Sequence, residues 1–168
     1  MLTQERLKEL LHYDDATGLF TWRVVNNNRV RVGAVAGSVT GYGYIQIQID
    51  GHRYQSHRLA WLYVHGEIPP DQIDHIDHCK NNNRIENLRL ATGCQNQMNR
   101  RVSVKNTSGY KGVHFDKNTC KWMASARANG GRRHYLGLFD TAEQASEAYQ
   151  AFARQHHGEF YLPQKVNR

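Results

Sequence analysis

The chain lacks a cysteine framework. Its three cysteines, Cys79, Cys94 and Cys120, are odd in number and scattered, and no Cys-x-x-Cys pair occurs. That excludes a disulfide scaffold and makes a reducing cytoplasm the expected compartment. Nor does any stretch approach the ~20 apolar residues that a membrane helix needs, so no membrane partner is expected. The opening MLTQERLKELL has no long apolar core and carries acidic residues, unlike a signal peptide. Acidic side chains are scarce overall: 15 Asp and Glu stand against 22 Lys and Arg, a formal net charge of +7. An excess of this size favours a polyanion, through attraction to phosphates and release of counterions. The 168 residues allow one or two small domains.

What is present centres on residues 74–99, DHIDHCKNNNRIENLRLATGCQNQMN. Asp74 offers a hard anionic oxygen. His75 is the side-chain type whose ordinary pKa lets it take a proton near neutral pH. Asn96 offers an amide oxygen that suits Mg²⁺, which needs few protein ligands because it keeps waters and takes phosphate oxygens. Residues 72–76 read as a strand after the turn at Pro69-Pro70. Residues 78–84 read as a loop too polar to be buried. Residues 87–91 alternate, with Leu88 and Leu90 on one face, as a half-buried strand does. Residues 94–100 can form a short helix. Adjacent strand residues point to opposite faces, so a strand carrying Asp74 and His75 must end or twist there. Two plainer readings compete. Asn-rich loops are common turns, and His75, His78 and Cys79 suggest zinc, although a structural zinc site needs four ligands, usually in spaced pairs.

The pattern Asp74-His75, then Asn83-Arg84-Ile85-x-Asn87-Leu88-Arg89, then Asn96-Gln97-x-x-Asn99 resembles the HNH nuclease motif of phage homing endonucleases. The resemblance implies a ββα-metal finger over about residues 70–100. It implies His75 as general base, Asp74 and Asn96 as metal ligands, and Asn87 as the central residue that pins the loop. Arg84 and Arg89 match the pattern and are expected to meet DNA. The segment HRLAWLY, residues 57–63, also resembles the part of that family preceding the Asp-His pair, which extends the likeness back to about Gly41.

Upstream, residues 3–12 read as a helix capped by Thr3, with Leu7, Leu10 and Leu11 on one face. Residues 19–24 read as a strand, and residues 26–31 as a basic loop tip. Residues 42–54 form a hairpin: Ile45, Ile47 and Ile49 alternate with Gln46 and Gln48, and Asp50-Gly51 supplies the turn. Its polar face is either solvated or turned to DNA through Gln46, Gln48, Arg53 and Gln55, since a two-stranded ribbon fits the major groove. Residues 56–65 read as a helix capped by Ser56 and stopped by Gly66.

Residues 100–108 form a basic linker without periodicity, in which Arg100, Arg101 and Lys105 suit an extended segment lying on DNA. The chain then changes character. Strands are expected over residues 110–115, 121–128 and 132–139, followed by a helix capped at Asp140 or Thr141 with Glu143 and Gln144 placed for a capping box. Ala142, Ala145, Tyr149 and Phe152 give that helix its apolar face. The uncovered sheet face collects Lys111, His114, Arg127, Arg133 and Tyr135, cations interleaved with aromatics as DNA readout requires.

The run Tyr110-Lys111-Gly112-Val113, Lys121-Trp122-x-Ala124, Tyr135-Leu136-Gly137-x-Phe139-x-Thr141-Ala142-Glu143 and Ala148-Tyr149 resembles the Apetala-type (AP2) domain of plant ethylene-response factors. It implies DNA contacts at Lys111, Gly112, His114, Ser125, Arg127, Arg133 and Tyr135. Lys111 and His114 stand where the plant pattern has arginines, and Ser125 where it has an acidic residue, so the plant target preference is not implied.

The sequence thus predicts an α+β protein. Residues 1–99 are a nuclease domain, 100–108 a linker, 109–160 a three-stranded antiparallel sheet on one helix, and 161–168 an uninformative tail. The expected activity is site-specific hydrolysis of double-stranded DNA with Mg²⁺, or Mn²⁺ in its place, by a monomer that nicks, in the cytoplasm of a phage-infected bacterium. The rival is a DNA-binding regulator that keeps the HNH segment as a scaffold.

Overall fold

The computed structural model describes residues 2–25, 31–103, 105–128 and 130–163. The expected loop tip at residues 26–31 falls almost wholly outside them. The chain divides into two compact units, Met1–Ala91 and Thr92–Arg168, and the architecture is α+β.

In the first unit Thr3 accepts a hydrogen bond from the Arg6 amide and starts helix α1, Gln4–Leu10. The helix ends two residues earlier than the leucine spacing suggests. Leu11 turns extended, and Leu11–Asp14 (β1) pairs antiparallel with Leu19–Trp22 (β2). Leu11 serves a helical and a two-residue period equally, and Tyr13, buried two positions on, decides for the strand. A short strand, Ser38–Val39 (β3), was not anticipated; it adds to the hairpin of Ile45–Ile49 (β4) and His52–Gln55 (β5). Asp50 and Gly51 both take positive φ, 46° and 81°, as a tight hairpin of this twist demands. Ile47 and Ile49 go into the core with Leu7, Leu11, Phe20 and Leu59.

Helix α2, Ser56–His65, is closed by Gly66 in the left-handed region. Its cap is Gln55, which makes no side-chain capping bond, and the expected cap Ser56 is instead a buried first-turn residue. Gln55 does not present its amide oxygen to solvent: Oε1 is buried and has no hydrogen-bond partner. The unit ends in a two-stranded ribbon, Gln72–His75 (β6) against Leu88–Ala91 (β7), with a 3-10 turn over Ile85–Asn87 between them. Leu88 is buried but Leu90 is 42% exposed. The expected alternation fails: Arg89, on the other side of the strand, is instead drawn in by an acidic partner described below.

The second unit begins with helix α3, Gly93–Asn99, under a complete capping box of Thr92 and Gln95. Val113–Asp116 (β8), Lys121–Arg127 (β9) and Arg133–Phe139 (β10) form an antiparallel sheet with β9 in the middle and a bulge between Tyr135 and Gly137. The first strand starts three residues later than expected. Gly112 sits at φ 71°, and a Cβ there would come 2.3 Å from the Tyr149 ring and 2.5 Å from the Ser125 carbonyl oxygen, so the chain is neither extended nor able to carry a side chain at that point. Thr141 caps helix α4, Ala142–His156, with Gln144 completing the box. Ala142, Ala145, Tyr149 and Ala153 face the sheet and meet Val113, Ala124 and Ala126. After α4 a 3-10 turn at Gly158–Phe160 buries Phe160.

Candidate active site

The β6–β7 register sets Asp74 opposite Arg89 and His75 opposite Leu88. Arg89 donates to Asp74 Oδ2 from Nε at 3.0 Å and from Nη2 at 2.9 Å. Both side chains are largely buried, 8% and 12% exposed for Asp74 and Arg89. The expected metal ligand and one expected DNA contact are therefore bonded to each other. A buried pair of this kind is held by mutual compensation: neither charge is tolerable in that place alone.

The strand ends at His75, whose carbonyl accepts from the His78 amide as the chain turns away. The imidazole is buried, and burial pushes its pKa below the usual histidine value, although Asn83 and nearby carboxylates pull the other way. Its Nε2 lies 3.2 Å from Asn83 Oδ1. The Asn83 amide nitrogen is committed to the Asn81 carbonyl, so the oxygen faces the ring. Nε2 then carries the hydrogen, and Nδ1 is the nitrogen able to accept a proton.

Asn83 is fully buried, in a loop whose composition suggested solvent. Its own carbonyl accepts from the Tyr13 hydroxyl at 2.8 Å. Burial pushes that phenol up to about 12. Gly18 lies against the same loop: a Cβ there would stand 2.4 Å from the Arg84 amide nitrogen. The N-terminal hairpin is thus the buttress of this loop, a role with no local sequence signal.

Asn87 holds the loop from the other side. Its Oδ1 accepts from the Asp77 amide at 3.1 Å, and its Nδ2 donates to Asp77 Oδ1 at 2.9 Å and to the Asn82 carbonyl at 2.8 Å. Asp77 is the hub that sequence reasoning passed over. Burial works to raise its pKa, but bonds from Asn82, the Cys79 amide and Asn87 outweigh that and hold the carboxyl below its ordinary value.

His57 packs edge-on to His75 with centroids 5.2 Å apart and lies 5.5 Å from Tyr44. Burial, reinforced by His75 and Arg58, pushes it down to about 4, so it is neutral at pH 7. The Lys80 ammonium lies over the Tyr44 ring at 4.9 Å. Arg53 and Arg84 are exposed. Asn96 is half-buried on α3 in the second unit.

Among the described residues no group of three or more His, Cys, Asp or Glu is placed to hold a metal, and Cys79 is exposed, its thiol bonded to Asn81. The donor chemistry fits a hard, oxygen-seeking cation: Asp74 brings an anionic oxygen, and Mg²⁺ takes few ligands from protein. Such a cation would compete with the Arg89 guanidinium for Oδ2.

On the second unit His114, Arg127, Arg133 and Tyr135 are exposed, Tyr135 at 63%. Arg100, Arg101 and Lys105 are exposed as well. Ser125 is buried and accepts from Arg133 Nε and Nη2 at 3.2 and 2.9 Å; it orients that arginine from below. Gly112 is a packing position. The Lys111 amine donates to the carbonyls of Met98 and Arg100.

Residues 54–98 match the family model described as HNH endonuclease, and residues 108–159 match the AP2 domain. Protein 3.8 of Escherichia phage T7 is 34% identical over 105 residues, which cover 62% of this chain and 85% of that one. The chain belongs to the HNH endonucleases. It carries an AP2 domain behind the HNH segment. An uncharacterized HNH endonuclease of Acanthamoeba polyphaga mimivirus is 40% identical over 124 residues, 72% of this chain and 63% of that relative, so the chain spans less than two thirds of its length. An ethylene-responsive transcription factor of Arabidopsis thaliana is 46% identical over 59 residues, 34% of this chain and 23% of that one. The HNH homing endonuclease I-HmuI, solved in a study of its DNA binding and cleavage, superposes at a TM-score of 0.41 and 20% identity, covering 82% of this chain and 76% of that one. The HNH match runs past Ala91 to Met98, so α3 is part of the HNH segment by sequence while it packs within the second unit.

Proposed function

We propose that the protein is a site-specific DNA endonuclease in which His75 is the general base. The observation that carries this is the buried, neutral His75 held in one tautomer by Asn83, inside the segment that matches the HNH model. A divalent cation, Mg²⁺ or Mn²⁺, is expected at Asp74, with Asn96 as the second ligand on the strength of the motif. When bound it would supply charge stabilisation at the scissile phosphate and the leaving oxygen. His75 Nδ1 takes a proton from the attacking water. The new P–O bond forms as the bond to the 3′ oxygen breaks, and that oxygen takes a proton from solvent, leaving a 5′-phosphate and a 3′-hydroxyl. Asn87 and Asp77 keep the loop in register during this, and His57, neutral beside His75, adds no competing charge. The expected substrate is double-stranded DNA, cut on one strand by a monomer. Arg53, Arg84 and the linker residues Arg100, Arg101 and Lys105 are expected to hold the phosphate backbone. Arg127, Arg133, His114 and Tyr135 are expected to read the groove.

One observation favours a DNA-binding regulator with a silent HNH scaffold: Arg89 neutralises Asp74. A supercoiled-plasmid assay separates the two. Metal-dependent nicking that falls about 10²–10⁴-fold in His75→Ala, with DNA binding kept, is expected of the nuclease. Binding without cleavage under Mg²⁺ and Mn²⁺ alike would leave the regulator.

A further inference from the structure

Helix α3 has seven residues, Gly93–Asn99. Two turns of helix do not persist by themselves, so the placement of Asn96 depends on the groups that hold the two ends. The capping box of Thr92 and Gln95 secures the first. At the other end the last carbonyls have no donor within the helix and lie at the negative pole of its dipole. The Arg100 amide reaches the Gln97 carbonyl at 3.3 Å. Lys111 takes two others: its Nζ donates to the Met98 carbonyl and, at 2.8 Å, to that of Arg100.

The rest of the second unit completes the hold. Met98 and Asn99 are buried. The Cys94 thiol is 3.5 Å from the Ala128 carbonyl. Cys94, Gln97 and Met98 line one side of a cavity of about 250 Å³, with Lys111, Arg127 and His157 among its other walls. Lys111 is fixed in its turn, because the next residue is Gly112, pressed without a Cβ against Tyr149 and the Ser125 carbonyl. Burial, with the Arg100 charge adding to it, pushes the Lys111 amine down to about 8. An amine drawn out of water toward helix carbonyls is spent as a cap and is poorly placed to serve as a phosphate contact.

We propose that Lys111 is a positioning residue: it caps the C-terminal end of α3 from the AP2 sheet and thereby sets the placement of Asn96, and with it the response to divalent metal, instead of touching DNA. This rests on the reading of Asn96 as a metal ligand. It makes the AP2 domain a structural component of the nuclease as well as its DNA-reading part.

The test compares the full chain with Lys111→Met and Lys111→Arg in three measurements. In EDTA, affinity for DNA and its salt dependence should be unchanged in Lys111→Met. A log–log salt slope reduced by about one would make Lys111 a phosphate contact and overturn the proposal. Hydrogen exchange at the last-turn amides of α3 should rise about tenfold, the loss of one charged cap; unchanged exchange overturns the proposal. The Mg²⁺ concentration for half-maximal cleavage should rise about tenfold with a smaller change in the rate at saturating Mg²⁺. Lys111→Arg, which keeps charge and donors, should restore the exchange rate and the Mg²⁺ requirement and leave DNA affinity in EDTA as in the wild type. A fall only in the saturating rate would overturn the link to metal. Should Lys111→Met fail to fold, Lys111→Gln, which keeps a donor without the charge, is read by the same measurements. Wild-type protein that cuts no DNA would remove the nuclease reading, and the exchange and EDTA measurements would still decide whether Lys111 caps α3 or binds DNA.

Discussion

The first unit keeps its polar site residues out of water, with Asp74 at 7%, His75 at 5% and Asn83 at 0% exposure, whereas Arg127, Arg133, His114 and Tyr135 of the second stand in solvent. The difference fits the two tasks proposed for these residues. A general base has to hold one tautomer and one orientation, which only a dry, hydrogen-bonded setting enforces. Groove-reading side chains have to travel to a partner, and burial would cost them that reach. Ser125 marks the meeting of the two styles: it is buried itself but braces the exposed Arg133.

The sharpest way to break the contrast is to unpair the ion pair. Arg89→Met should destabilise the metal-free protein by about 3–5 kcal/mol, because Asp74 is left charged and alone. Mg²⁺ should return part of that stability if Asp74 binds it. Urea unfolding with and without Mg²⁺ measures both, and an unchanged midpoint would show that the pair is not buried as described. Next comes Asn87→Ala, which removes three hydrogen bonds from the loop and leaves Asp77 partners unsatisfied; about 3 kcal/mol is expected from the same unfolding curves. Arg127→Ala in the other unit should leave stability unchanged within the error of that experiment. It should weaken binding to the preferred DNA by about 1–3 kcal/mol, read by anisotropy against a scrambled duplex. A stability loss with binding intact would reverse its role.

The most gradual effect is in pH. His57 titrates near 4 in the fold against about 6.5 unfolded. Between those values the unfolded chain binds more protons, so the stabilisation is complete above about 6.5 and is lost as pH falls toward 4. His57→Phe should flatten that slope by at most about 1 kcal/mol per pH unit; an identical slope in the variant would exclude His57 as its source.

Much of the fold was open to sequence reading where one period ruled. The Ile45 to Ile49 alternation, the Asp50-Gly51 turn and the alanine face of α4 each have a single local solution. Legibility failed where two solutions compete or where the partner is distant. Leu11 fits a helix and a strand equally, and the burial of Tyr13 together with the pairing to Trp22 chooses. Residues 78–84 look solvated because their composition is polar, but Asn83 meets His75, Asn81 and Tyr13, and a polar group with every partner found is free to be buried. Lys111 lies on a run that resembles a DNA-reading sheet, and nothing nearby in sequence announces the carbonyls of Met98 and Arg100 that it meets. The motif residues Asp74, His75 and Asn87 were visible as residue types at fixed spacing. Arg89 on Asp74 became visible only through the register of two strands.

The contact of Gly18 with the loop at Arg84 bears on how this protein can be cut into pieces. The HNH similarity begins at Tyr54, well after Gly18 and Tyr13. A fragment trimmed to the similar segment would keep Asp74, His75, Asn87 and Asn96, yet the Asn83 carbonyl would lose the Tyr13 hydroxyl and the loop its floor at Gly18. Sequence likeness marks where the chemistry is written, and the smallest autonomous fragment has to start before Leu11, where the buttress begins.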